Sequence, residues 1–216
     1  MTLPGFEAAT KRYNEIPDRC IMNANSILDV GASDGSMAKF SRYGSIFDKV
    51  NEAGDYLGLD IQEFNYTYYN IIKQDLRDFE AEREYDLVIA SHVIEHIEIE
   101  RWPKIFAVLF GCVAKGGYLI VAVPWKQPAK GYTCDCSAMA HKVFSIDRSM
   151  MEGFLPGGRY LYSKSGWRHF REQGEFFPYA LFRFIYRALT FHPYSVFNQR
   201  GMVSQMVGVW RKRFEE

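Results

Sequence analysis

The chain has 216 residues, 48% of them hydrophobic, enough for one α/β domain with a sizeable core and too few for a second complete domain. Lysine plus arginine equals aspartate plus glutamate, 26 against 26, so no overall positive field marks a nucleic-acid binder, and no apolar run is long enough to span a bilayer. Four cysteines (Cys20, Cys112, Cys134, Cys136) at uneven spacings, without a signal peptide, imply reduced thiols and a cytoplasmic location.

In chain order, a loose helical pattern (Phe6, Tyr13, Ile16) predicts an N-terminal extension over residues 1–25. Ser26 to Val30 is an apolar run that breaks into the turn Gly31-Ala32-Ser33-Asp34-Gly35 and then a helical pattern from Met37 to Tyr43. Glycines there let the backbone turn tightly and a nucleotide-like ligand lie against main-chain N–H groups. The spacing is Asp29-x-Gly31-x-Ser33-x-Gly35, not the G-x-G-x-x-G that cradles a pyrophosphate, and the carboxylate before the turn favours a ligand carrying positive charge. Taken alone, the stretch also fits a Gly-rich turn in an unrelated α/β protein. Asp55 to Asp60 reads as a second strand, with Asp60 at its tip, where α/β nucleotide binders grip ribose hydroxyls.

The Asp29 to Gly35 motif resembles the first motif of the class I S-adenosylmethionine-dependent methyltransferases, in which Ser commonly replaces the middle Gly. Their methyl donor carries a sulfonium, an ammonium and a carboxylate but no phosphate, so an acid beside the turn makes electrostatic sense. The resemblance implies that Asp29, Gly31, Ala32, Ser33 and Gly35 line the donor, that Asp60 holds its ribose and that Ile61 packs on its adenine. After a third strand over Tyr66 to Ile72, it also implies that Asp75 accepts from the adenine amino group while Leu76 lies beneath the ring.

Glu84 to Ser91 has the continuous apolar core of a strand buried on both faces of a parallel sheet. It enters His92-Val93-Ile94-Glu95-His96, which resembles the family's fourth-strand signature in its small-molecule-modifying branch and so implies Ser91 and His92 beside the donor's methionine half. The same residues spell the H-x-x-E-H of inverted zinc peptidases, with both histidines one helical turn apart. The buried strand immediately before them and the Gly-rich turn upstream argue against that reading, and no metal is expected. Trp102 to Val113 has the apolar spacing of a helix packed on a sheet, Lys115-Gly116-Gly117 stops it, and Tyr118 to Pro124 is a fifth strand. Leu109 to Pro124 resembles the family's Leu-x-x-Gly-Gly-x-Leu-x-Val-x-x-Pro in the matching place.

The loop from Trp125 to His141 lies outside the carboxyl end of that strand and is expected to touch the methyl acceptor. Cys134-x-Cys136 with His141 lacks the fourth ligand and C-x2-C spacing of a structural zinc site, and reads as reduced thiols. His141 to Asp147 resembles the segment that introduces the family's next helix, with Ser145 expected to cap Ile146 to Phe154. Arg159 to Ser163 and Met202 to Trp210 are expected as strands six and seven, and the resemblance implies that they pair as a hairpin. Between them residues 166–200 form an aromatic-rich insertion, with a helix expected over Tyr179 to Leu189. Three readings compete for it: a lid over the acceptor, a homodimer surface, or membrane contact through residues 176–190.

Together these signals predict one α/β domain, a Rossmann-like seven-stranded, mostly parallel sheet with helices on both faces and an antiparallel last strand. The family likeness implies S-adenosylmethionine as cofactor; a small-molecule acceptor (sugar, lipid-linked or aromatic) is expected, the aromatic insertion suiting something partly apolar or planar, with methylation expected at oxygen. Ala90-Ser91-His92-Val93 stands where base methyltransferases carry Asn/Asp-Pro-Pro-aromatic, which argues against nucleic acid. For a hydroxyl acceptor His96, His141 or Tyr132 could take the proton. A non-catalytic donor-binding regulatory protein is the alternative. A nicotinamide-dependent reductase is disfavoured by Asp29 and by the missing G-x-G-x-x-G.

Overall fold

A computed structural model describes residues 16–125, 141–162 and 204–213. The extension up to residue 15, Tyr132, Cys134 and Cys136, the aromatic insertion with its lid, homodimer and membrane readings, and the helix expected over Tyr179 to Leu189 all lie outside these residues. Among the described residues no helix is long and apolar enough to cross a membrane.

A short helix α1 (Asp18–Ile21) leads into β1 (Ile27–Val30), the single turn α2 (Ser36–Lys39), α3 (Gly44–Glu52), β2 (Tyr56–Asp60) and β3 (Ile71–Lys73). Then follow a 3-10 turn (Leu76–Asp78), β4 (Tyr85–Ser91), two more 3-10 turns (Ile94–His96 and Ile99–Arg101), α4 (Trp102–Gly111) and β5 (Val113–Trp125). The chain continues with α5 (Arg148–Phe154), β6 (Arg159–Tyr162) and β7 (Ser204–Arg211). Seven strands form one sheet in the order β3-β2-β1-β4-β5-β7-β6. The first five strands pair in parallel, while β7 lies antiparallel between β5 and β6. The expected sheet is therefore present.

Burial on both faces explains the apolar runs. Along β4, Leu87 and Ile89 pack towards α1 and α3 (Cys20, Ile21, Phe47, Val50), whereas Val88 and Ala90 pack towards α4 and α5 (Trp102, Ile105, Phe106, Met151). Strand β5 repeats this alternation, with Ile120 and Ala122 on the first face and Leu119, Val121 and Val123 on the second. Such strands need helices on both sides, and the amphipathic α3 and α4 supply them. Cys20 and Cys112 are buried, unbridged thiols, and burial pushes Cys112 up to about 11.

Several elements differ from the sequence expectation. The helix after the first turn stops at Lys39 because the chain folds back on itself: a Cβ at Gly44 would sit 2.1 Å from the Lys39 carbonyl oxygen, and Ser41 Oγ donates to the Ala38 carbonyl. Tyr66 to Tyr69 is loop rather than strand, tied down where Tyr68 N–H donates to the Asp34 carbonyl at 2.9 Å. Strand β5 begins early, at Val113, through an irregularity in its pairing with β4, and Gly116 takes φ +82° there. Asp147, not Ser145, caps α5: its carboxylate accepts from Met150 N–H at 3.0 Å, whereas Ser145 sits at φ +55° outside the helix.

Trp102 joins this frame to the turns beyond β4. Its buried indole N–H is shared between the carbonyls of Ile94 and Ile97, both at 3.1 Å. Trp102→Ala should cost about 3–5 kcal/mol, the usual loss for a buried large aromatic. Trp102→Phe keeps most of the packing and should cost about 1–2 kcal/mol for the lost hydrogen bonding. Urea unfolding of both variants checks the order.

Candidate functional site

The chain moves from β1 outward to β2 and β3, then returns to place β4 on the other side of β1. That reversal opens a crevice outside the carboxyl ends of β1 and β4, the place where open α/β sheets bind ligands. The turns after β1, β2 and β4 all lie at this end.

The turn after β1 is held by main-chain geometry. Gly31 (φ +74°), Ser33 (φ +55°) and Gly35 (φ +82°) all take left-handed conformations. Both Gly31 and Ala32 N–H donate to the Leu59 carbonyl, at 2.8 and 3.1 Å. A Cβ at Gly31 would lie 2.4 Å from a Val93 methyl, so glycine is required where the β4 exit crosses the β1 exit. Asp34 Oδ1 accepts from the N–H and hydroxyl of Ser36, which starts α2.

Asp60 ties the second strand tip to this turn: Oδ2 accepts from Ser33 N–H and Oδ1 from Gln62 N–H, both at 2.9 Å. Each oxygen keeps a further lone pair for a ligand hydroxyl. Ile61, next to it, is exposed, as a residue that stacks on a base must be. Asp29 is fully buried beneath the turn, where the Tyr56 hydroxyl donates to Oδ2 at 2.9 Å. Ala32 is buried too.

Asp75 is engaged elsewhere. Arg77 grips both its oxygens through Nε at 2.9 Å, with a further short contact from the guanidinium, and Arg77 N–H adds a third donor. The guanidinium beside it holds the Asp75 carboxyl below the usual carboxylate range. The adenine contact expected of Asp75 therefore requires Arg77 to swing away. Leu76 is buried at the start of the 3-10 turn that Asp75 caps.

Beyond β4 the polar residues converge. Ser91 Oγ is buried with no hydrogen-bond partner among the described residues. His92 adopts φ +58°, its N–H donates to the Ala122 carbonyl at 2.8 Å, and its Nδ1 lies 3.2 Å from Glu95 Oε1. Ile94–His96 is a 3-10 turn rather than the helix that a peptidase motif would need. The Glu95 carbonyl accepts from Lys142 and Val143 N–H at 2.8 and 3.1 Å, which brings His141 against His96 with ring centroids 4.7 Å apart, edge to face. Burial pushes the fully buried Glu95 carboxyl up, but the His92 imidazole against it, with His96 close by, outweighs this and leaves the group below its usual range. Burial lowers His141 against an upward pull from Glu95, so its imidazole is neutral at pH 7.

The structure thus brings together the Gly31–Gly35 turn, Asp60, Ile61, Ser91, His92, His96 and His141. Sequence reasoning passed over Glu95 as a site residue, although the signal was present: an acid between two apolar-flanked histidines at the end of a buried strand. A cavity of about 580 Å3, lined by Arg19, Tyr118, Arg159 and Arg211 among others, lies at the opposite end of the sheet.

Residues 6–188 match a family profile described as a methyltransferase domain. Among solved structures, a SAM-dependent methyltransferase from Archaeoglobus fulgidus is similar at TM-score 0.59 and 13% identity, over 96% of this chain and 94% of that one. The 1,6-didemethyltoxoflavin-N1-methyltransferase of Burkholderia thailandensis, with bound 1,6-didemethyltoxoflavin and S-adenosylhomocysteine, is similar at TM-score 0.57 and 12% identity, over 96% and 80%. The N-methyltransferase NodS of Bradyrhizobium japonicum in complex with S-adenosylhomocysteine is similar at TM-score 0.54 and 9% identity, over 95% and 86%. A search of curated protein sequences finds no match.

Two experiments test this geometry. Gly31→Ala pays backbone strain of about 1–3 kcal/mol plus the clash with Val93, whereas Gly54→Ala (φ +78°, open space around the Cβ) pays strain alone. Calorimetry with S-adenosylhomocysteine should show binding lost in Gly31→Ala, partly restored by adding Val93→Ala, and unchanged in Gly54→Ala. Because the folded pKa of Asp75 is depressed, its stabilisation is complete above the unfolded value of about 4 and disappears as pH falls through the folded one. Acid titration of Asp75→Asn should accordingly show less loss of stability below about pH 4 than the unmodified chain. With the switch-point cradle, the sheet order and the profile match over most of its length in agreement, the chain belongs to the methyltransferase-domain family of class I, S-adenosylmethionine-dependent enzymes.

Proposed function

We propose that this chain methylates a hydroxyl oxygen of a small-molecule acceptor, with the donor seated on Gly31, Ala32, Ser33, Gly35, Asp60, Ile61, Leu76, Ser91 and His92, Asp29 supporting the turn from beneath, Asp75 joining once Arg77 releases it, and the acceptor facing His96 and His141. One observation carries the reading: the two imidazoles meet edge to face at 4.7 Å, directly beyond the strand whose exit crosses the glycine turn.

The residues present fit the donor. A cradle that side chains would fill, free lone pairs on Asp60 and the unpartnered Ser91 hydroxyl match a ligand with ribose hydroxyls, an ammonium and a carboxylate. When bound, S-adenosylmethionine supplies an electrophilic methyl carbon on a positively charged sulfur. The chain's contribution is to align its acceptor with that carbon and to exclude water. A hydroxyl acceptor must also lose a proton, and an imidazole beside it is suited to take one from that oxygen.

Remaining acceptor contacts are assigned to residues 126–140 and to the insertion 166–200. Trp125 pairs with Ser204 and Tyr162 with Met206, so the described strand ends nearest these segments in sequence lie at the ligand-binding end of the sheet. A small molecule, 1,6-didemethyltoxoflavin, is also what the N1-methyltransferase among the structural neighbours holds.

A methyl-release assay against sugars, phenols and amines, run beside donor-binding calorimetry, tests the reading. Hydroxyl acceptors should turn over, and His96→Ala and His141→Ala should each lower kcat/KM by about 10²–10⁴-fold while S-adenosylhomocysteine still binds. Unchanged turnover in both variants, or turnover confined to amines, overturns it.

A further inference from the structure

Glu95, His96 and His141 offer one carboxylate oxygen and two imidazole nitrogens that all lie within 4.8 Å of one another. Glu95 and His96 are neighbours in the turn after β4, and His141 is brought to them from a distant part of the chain by the Lys142 and Val143 N–H groups on the Glu95 carbonyl. The Glu95 carboxylate is wholly buried, and neither oxygen has a hydrogen-bond partner among the described residues. Oε1 has only the His92 imidazole at ion-pair distance, 3.2 Å, without hydrogen-bond geometry. His96 Nδ1 is likewise buried without a partner among the described residues. A buried carboxyl either takes up a proton or is compensated by positive charge, and a cation held by all three groups would supply that charge.

We propose that Glu95, His96 and His141 bind one divalent first-row transition-metal cation, and that this cation takes the acceptor's oxygen as a further ligand. The second part rests on the oxygen-acceptor reading above. The first part does not.

The donor set chooses the metal class. Two imidazoles with one carboxylate suit zinc, manganese, cobalt or iron(II), whereas magnesium and calcium prefer all-oxygen cages. Metal–ligand bonds of about 2.0–2.2 Å set neighbouring donor atoms about 3–4 Å apart, so a side-chain adjustment of under about 1 Å closes the observed cluster onto an ion. His92, against Glu95 Oε1, then orients the ligating carboxylate, as partners of metal ligands commonly do. Three protein ligands leave positions open for an exchangeable oxygen. An acceptor hydroxyl bound there loses its proton to water more readily. Its oxygen then bonds the methyl carbon as the methyl–sulfur bond breaks, and the bond pair stays on sulfur as a neutral thioether.

The test uses the full chain stripped with a chelator and titrated with Co2+, followed by its visible absorption, and with Zn2+ by calorimetry. One ion per chain is expected, bound more than about 100-fold more weakly in Glu95→Gln and in His141→Asn, with S-adenosylhomocysteine affinity within a few-fold in every variant that binds it. The donor-binding measurement and thermal unfolding certify that each variant is folded, and having two variants covers the failure of one. No cobalt absorption and no heat at millimolar metal overturns the site, as does stoichiometric binding that survives both substitutions. Full-rate transfer to a hydroxyl acceptor by the stripped chain overturns the cation's role in the reaction. Metal binding without transfer to any hydroxyl upholds the site and counts against the oxygen-acceptor reading alone.

Discussion

Two chain reversals meet at the middle of the sheet, where the hydrogen of Gly31 faces the Val93 side chain. With β1 and β4 hydrogen-bonded neighbours, their exits must cross within van der Waals contact, and any side chain on the β1 exit would push them apart. The close crossing fuses two functions into one surface: the backbone cradle comes from the β1 exit and the buried polar group from the β4 exit. Asp60 extends the surface sideways by receiving the Ser33 N–H, so the cradle is set by hydrogen bonds before any ligand arrives.

The polar half of the site is held by backbone more than by side chains. Trp102 gives its indole N–H to carbonyls on either side of the 3-10 turn, and the Glu95 carbonyl collects two N–H groups from the returning chain. This leaves the buried Glu95 carboxylate within reach of the imidazoles of His96 and His141, where burial makes charges interact strongly.

Much of this was legible in the chain. The Asp29 to Gly35 spacing, the acid at the tip of β2 and the two uninterrupted apolar runs of β4 and β5 are local consequences of sheet burial and tight turning, and each appears where expected. What escaped notice depended on contacts between distant residues. Helix α3 has no side-chain cap at its start, and its position follows from the sharp fold-back at Gly44, which no periodicity reveals. The aromatic run before β3 has strand-like composition, yet Tyr68 is drawn to the Asp34 carbonyl and leaves the sheet. The pairing of Asp75 with Arg77 and the convergence of Glu95 with His141 likewise appear only when turns from different strands are seen side by side.

The pairing of Trp125 with Ser204 and of Tyr162 with Met206 fixes the roots of two long segments on the same rim of the sheet. Closing a loop between fixed roots grows costlier only slowly with length, by about 0.6 kcal/mol per doubling. Segments rooted in this way can be shortened, extended or exchanged while the donor cradle beneath them stays untouched. The sheet order therefore keeps the glycine turn at β1 and β4 apart in sequence from the residues that follow Trp125 and Tyr162, so a change of length in one leaves the pairing that holds the other intact.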